Sequence, residues 1–113
     1  MLRFRLSVLP ACLLLVASIM AGCSSTPKDV TAGWTPDRIY KEARDEVNSG
    51  AWDKAIGLFE KLEGRAAGTL LAQQAQLEKA YAQYKTNEKV QALATLDRFI
   101  RLHPTSPAMD YAL

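Results

Sequence analysis

The sequence predicts an all-α fold built from paired helices. Apolar residues recur at three- and four-residue spacing over most of the chain beyond residue 35. Each such run is bounded by capping or helix-breaking residues, and no segment alternates apolar with polar residues as a half-buried strand does. Thr35-Pro36-Asp37 opens the first helix with a capping hydroxyl, a proline at the first helical position and an early acid. Ile39, Tyr40, Ala43 and Val47 follow at helical spacing, and Asn48-Ser49-Gly50 stops the run. The second helix places Trp52, Ala55, Ile56, Phe59 and Leu62 on one face and ends around Glu63-Gly64. After Gly68 a third helix carries Leu70, Leu71, Ala75, Leu77, Ala80, Tyr81 and Tyr84, and Thr86-Asn87 breaks it. A fourth runs from about Glu88 to Leu102 with Val90, Leu93, Leu96, Phe99 and Ile100 as its apolar positions, before His103-Pro104. Thr105-Ser106-Pro107 opens a fifth, which carries Ala108 to Leu113.

The order helix, turn, helix occurs twice, and the two occurrences align. Placing Gly50 over Asn87 sets Ala43 over Ala80, Tyr40 over Leu77, Val47 over Tyr84, Ala55 over Ala92, Phe59 over Leu96 and Leu62 over Phe99. The shift is 37 residues, against about 34 for a tetratricopeptide repeat. The loop Glu63-Gly64-Arg65-Ala66-Ala67-Gly68 absorbs the difference. The pattern resembles that repeat: small residues where two helices cross closely, a turn residue between them, and an apolar plug one turn later. Glu42, Glu46, Lys79 and Gln83 depart from it, standing where the repeat usually has Leu or Tyr. The reading gives repeat 1 at about 36–64, repeat 2 at about 68–104 and a partial repeat 3 from 106.

The chain has 113 residues, room for one small domain and no separate catalytic one. It begins with a leader. Arg3 and Arg5 supply positive charge, and Leu6 to Ala21 form an apolar stretch interrupted by Ser7, Pro10 and Ser18. That stretch is short of the roughly 20 residues that span a bilayer. Residues 1–22 are therefore expected to be removed. Ala21-Gly22-Cys23 resembles the lipobox of bacterial lipoproteins, whose cysteine takes a diacylglyceryl thioether and becomes the acylated N-terminus. Cys23 is the expected lipidation site and Cys12 leaves with the leader, so no disulfide can form within the mature chain. The acyl chains are the only attached group expected; no cofactor or metal is. Ser24, rather than Asp, points to the outer membrane. Residues 23–35 then read as the lipidated cysteine and a flexible tether, with Trp34 either on the domain or at the membrane interface.

Charge narrows the partners. The formal net charge is +2, from 14 basic and 12 acidic residues. Arg3 and Arg5 account for all of that excess, so residues 23–113 carry no net charge and offer no basic surface for nucleic acid. Catalytic readings find no support either. His103 has no nucleophile or acid placed beside it by a motif, and Gly64 and Gly68 follow no strand as a phosphate loop requires. Glu42, Asp45, Glu46, Glu60 and Glu63 are interleaved with Lys41, Arg44 and Lys61, as on a solvated helix face. The chain is read as non-enzymatic.

The lipobox, the tether, the repeat pair and one local stretch together resemble the BamD family of repeat lipoproteins, which serve β-barrel assembly in Gram-negative outer membranes. The stretch is Leu96-Asp97-Arg98-Phe99-Ile100-Arg101-Leu102-His103-Pro104-Thr105-Ser106-Pro107, followed by Met109-Asp110-Tyr111. Ile39-Tyr40, Gly50-Ala51-Trp52 with Ala55-Ile56, and Ala80-Tyr81 to Tyr84-Lys85 are similar as well. Family members are longer, so this chain reads as a truncated product or fragment of marginal stability, its partial third repeat uncapped. The resemblance implies a lipid-anchored periplasmic scaffold on the outer membrane. Its implied partners are a BamA-like barrel-insertase subunit, accessory lipoproteins, unfolded barrel-protein precursors and, through the acyl anchor, membrane lipid. A repeat lipoprotein of another envelope system, such as pilus secretin assembly, is the alternative. In either case the first helix of each pair would line a groove holding Tyr40, Arg44 and Val47, then Leu77, Tyr81 and Tyr84, with Asp37 and Gln74 nearby. Such a surface suits an extended peptide with aromatic side chains and a terminal carboxylate. Tyr81 and Tyr84 could equally serve packing between repeats.

Overall fold

The computed structural model describes residues 27–113, of which Thr31–Leu113 form one compact unit. The leader, the lipobox and Cys23 lie outside the described residues. Five helices follow one another: α1 (Pro36–Ser49), α2 (Trp52–Arg65), α3 (Leu70–Lys85), α4 (Lys89–Leu102) and α5 (Met109–Ala112). Every regular element among the described residues is a helix, as the periodicity predicts. Each helix packs against the next in the chain, and α1 also reaches α3. The architecture is therefore two stacked helical hairpins with the first turn of another helix laid on the second.

The Thr35 cap acts as the sequence predicts and Thr69 adds one at the third helix, whereas the fifth helix starts only at Met109, after Ala108 and without a side-chain cap. Thr35 accepts the Arg38 backbone N–H at 3.3 Å, and Thr69 accepts that of Ala72 at 3.2 Å at the start of α3. The two hairpin turns are copies of one another. In the first, Gly50 and Ala51 donate to the carbonyls of Val47 and Glu46; in the second, Asn87 and Glu88 donate to those of Tyr84 and Gln83. Each participant in the second turn lies 37 residues beyond its counterpart. Gly50 has φ +78°, and Asn87, at +66°, is the sole non-glycine residue with positive φ among the described residues. The bond pattern needs a left-handed residue at that point, and asparagine is among the few side chains that accept it.

Burial follows the repeat. Ile39, Ala43, Ala55, Phe59 and Leu62 form the first core with Ala66, Ala72 and Ala75, while Leu77, Phe99 and Ala112 form the second. Phe59 and Phe99 are fully buried, each contributing about 1.5–3 kcal/mol of apolar transfer. Two expectations shift at the N-terminal side. The tether ends before Thr35, because Arg65 holds the turn that precedes α1: its Nη1 donates to the carbonyls of Thr31 (2.6 Å) and Trp34 (3.2 Å), and its Nη2 to Thr31 Oγ1 (2.9 Å). Trp34 lies on the domain, packed on the first core with the Arg38 guanidinium 4.3 Å from its ring centroid. α2 accordingly runs to Arg65, past Glu63-Gly64.

The apolar face assigned to α3 is corrected. Leu70, Tyr81 and Tyr84 are exposed, while Gln76, Lys79 and Gln83 are buried. α3 is covered by the first hairpin on one side and by α4 on the other, so its neighbours decide what is buried. In α4, Val90 and Leu93 are likewise exposed. Two of these buried polar residues find partners across the interfaces: Gln83 Oε1 accepts from Thr95 Oγ1 at 2.8 Å, and Lys79 Nζ lies 2.7 Å from Glu63 Oε1. The Lys79 contact is one of charge, since Glu63 Oε1 receives no well-directed hydrogen bond.

Replacing Gly50 by Ala should lower the unfolding free energy by about 1 kcal/mol or more, whereas Asn87→Gly should be neutral or stabilising; urea melts of the two variants make the comparison. Lys79→Met alone should destabilise by about 3 kcal/mol, because it strands the Glu63 carboxylate. Adding Glu63→Leu should recover most of that loss, and a double-mutant cycle measures the coupling.

Candidate functional site: a groove between successive first helices

Two concavities share Leu77, Tyr81 and Tyr111. The larger, about 370 Å³, is walled by Leu77, Ala80, Tyr81, Tyr84, Ala92, Leu93 and Leu96, with Lys89 and Tyr111 at its edge. One repeat earlier these positions are Tyr40, Ala43, Arg44, Val47, Ala55, Ile56 and Phe59. In the first hairpin, that surface lies under α3. The larger concavity is thus the second-repeat version of a helix seat, and Ala112 of α5 lies on Phe99 and Leu77 in the second core.

The smaller concavity, about 310 Å³, is the groove proper. Arg44 of α1, Gln74, Leu77, Glu78 and Tyr81 of α3, and Ala108 and Tyr111 of the third-repeat segment line it. First helices of successive pairs form its walls, as the repeat phasing predicts. Its two ends differ chemically. At one end Arg44 Nη1 donates to both carboxylate oxygens of Glu78, at 2.8 and 2.7 Å, and Gln74 Nε2 donates to Glu78 Oε1 at 3.3 Å. At the other, the Tyr81 and Tyr111 rings stand open to solvent. Tyr81 is held by an edge contact on Trp52, with centroids 5.9 Å apart.

The structure redistributes the residues expected in one groove. Arg44, Gln74, Leu77 and Tyr81 do meet there. Tyr84 lines only the helix seat, Val47 packs on the first core, and Tyr40 packs beside the groove on Phe59, centroids 6.3 Å apart. Asp37 is exposed on the first turn of α1, outside the groove lining. Arg44 is also not the unengaged cation that a terminal carboxylate would need. Sequence reasoning missed Glu78, Ala108 and Tyr111. One signal was available: Arg44 and Glu78 are opposite charges 34 residues apart, close to a repeat length, which brings first helices side by side.

Electrostatics at the polar end are set by this pair. The Glu78 hydrogen bond and charge raise the Arg44 pKa above its ordinary value. Burial first, and then the Glu78 carboxylate, raise that of Tyr40 above 10.0, with Arg44 acting in the opposite direction. Among the described residues, no group of three or more His, Cys, Asp or Glu could hold a metal.

Fold and groove together define a tetratricopeptide-type repeat protein with a lined concave face. Residues 33–113 match the YfiO family of outer membrane lipoproteins, and the chain belongs to that family. Among its curated relatives are proteins named outer membrane protein assembly factor BamD. The chain is 46% identical to that of Neisseria meningitidis serogroup B over 101 residues, 89% of this chain and 38% of the relative. It is 41% identical to that of Vibrio cholerae, covering 88% and 41%, and 33% identical to that of Haemophilus influenzae, covering 89% and 38%. The chain therefore spans about two fifths of the length of these relatives.

The raised Tyr40 pKa gives a signed prediction. The unfolded chain releases the phenolic proton before the folded one, so this contribution to stability is intact below pH 10 and is lost as pH rises through the folded pKa. Tyr40→Phe should flatten the fall in unfolding free energy between about pH 9 and pH 11, read from urea melts across that window.

Proposed function

We propose that this chain is a non-catalytic, lipid-anchored scaffold of outer-membrane β-barrel assembly. Cys23 carries the acyl anchor on the periplasmic face of the outer membrane. The stacked hairpins present the α1–α3–α5 groove to extended segments of a barrel-insertase subunit, of accessory lipoproteins or of barrel-protein precursors. The observation that carries this reading is the family match across the repeat domain, joined to assembly-factor relatives at 46% identity. Physical features of the chain agree with it. No helix among the described residues is long and apolar enough to cross a membrane, and the proposed attachment is through the acylated Cys23. Several acyl chains on one residue suffice, at about 0.8 kcal/mol per buried methylene. The groove offers aromatic area at low entropic cost, with hydrogen-bonding groups beside it, a composition typical of protein-recognition surfaces.

The test is a detergent pull-down from outer membranes, using the chain with its own leader, a Cys23→Ala variant and a Tyr81→Ala variant. The lipidated chain should recover barrel-assembly subunits. Cys23→Ala should leave the membrane fraction, and Tyr81→Ala should stay in it while recovering several-fold less partner. Membrane-bound chain that recovers no assembly subunit would refute the scaffold reading for this region and leave only the anchor.

A further inference from the structure

Resting on the groove reading above, we infer that Glu78 sets what the groove accepts. By engaging Arg44 internally, it turns away carboxylates and admits the uncharged main chain of an internal peptide segment.

The argument starts from the bond geometry. Both hydrogen bonds between the two side chains issue from Arg44 Nη1. The remaining guanidinium nitrogens make no hydrogen bond with any described residue, and the Arg44 side chain is 42% exposed. Donors therefore remain at the groove, but the charge behind them is already compensated.

A main-chain carbonyl needs only a donor, and Arg44 still supplies one. A carboxylate needs a net positive site as well, and would lie one guanidinium width from Glu78. That carboxylate has a side-chain exposure of only 14%, so water screens it poorly. Like charges held this close, well inside a Debye length of about 8 Å, oppose each other. Burial first, and Glu78 second, raise the Tyr40 pKa at the same end of the groove. Glu78 and Gln74 meanwhile offer acceptors for the N–H groups of the same segment. Tyr81 and Tyr111 provide the adjoining wall for an aromatic or aliphatic side chain. The assembled surface matches the middle of an extended apolar-polar peptide, and mismatches its charged end.

The experiment uses the full chain purified in detergent and one short synthetic peptide of alternating Ser and Tyr ending in Phe. The peptide is prepared as the free acid and as the C-terminal amide, and binding is followed by fluorescence anisotropy. The native chain should bind the amide about tenfold more tightly than the acid. Glu78→Gln keeps an acceptor toward Arg44 while removing the charge; it should bring the acid level with the amide or make it the tighter ligand. Arg44→Gln, which leaves Glu78 uncompensated, should widen the native gap, and it serves as the second readout if Glu78→Gln lowers the helical circular dichroism signal. Equal binding of acid and amide by the native chain, or an unchanged preference in both variants, overturns the role of Glu78 while leaving the groove as a peptide site. Failure of either form to bind the native chain overturns the groove reading itself and this inference with it.

Discussion

The middle helix α3 must be packed on two sides at once, and the rest of the structure depends on how it meets that demand. The α1–α2 hairpin buries one stripe of each helix and leaves its open face to α3; the α3–α4 hairpin needs the opposite side of α3 for its own core. A helix serving two neighbours has no wide solvent face on which to place charge. α3 resolves this with buried alanines (Ala72, Ala75, Ala80 and Ala82) and with Lys79 and Gln83, which find partners across the interfaces. Alanine lets helix axes come near the short end of the usual 8–10 Å separation. Packed at this interface even Lys79 loses most of its solvent, and Glu63 on α2 becomes necessary to it.

Because the stack repeats, the same arrangement produces the concave face. First helices fall side by side at one-repeat spacing, so a residue of α1 and one of α3 about 34 apart become neighbours. Arg44 and Glu78 are such a pair, and their link ties the two repeats on the exposed side as the alanines do on the buried side. The seat walled by Leu77, Ala80, Tyr84, Ala92, Leu93 and Leu96 follows from the same periodicity, being the second-repeat version of the surface that α3 covers in the first. Apolar exposure at Tyr84 and Leu93 thus belongs to the stacking mechanism of solenoids, in which each repeat leaves a face for the next. The groove at Arg44, Gln74, Glu78 and Tyr81 is a different kind of surface, mixed in polarity and already internally paired.

The N-terminal edge is closed by a separate device. Arg65, at the last turn of α2, gathers two carbonyls and a hydroxyl from the turn before α1, and Trp34 drops onto the first core beside it. The carbonyls of an isolated turn would be left to water; a guanidinium with several donors on one plane satisfies three acceptors together. The folded unit therefore begins at Thr31, and the segment toward Cys23 is correspondingly short.

Local signals were enough to determine the helices and their order. Thr35-Pro36-Asp37, Gly50 and Asn87 act through hydrogen bonds spanning only a few residues, so they are legible in the sequence and recur in the structure as written. The 37-residue register was legible for the same reason: it needs only like residues in like local settings. The resemblance of Ala21-Gly22-Cys23 to a lipobox is read from residue chemistry alone and owes nothing to the fold of the domain. Burial along α3 and the composition of the groove were not legible. Lys79 and Gln83, which the sequence marks only as departures from the repeat, are interior together with Gln76, while Leu70, Tyr81 and Tyr84 of the predicted apolar face are exposed. The periodic rule assumes one apolar environment per helix, and α3 has two. The pairing of Arg44 with Glu78, and with it the charge of the groove, was settled only when stacking brought α1 against α3. That contact depends on the angle and separation of helix axes, quantities that no single segment of the sequence encodes.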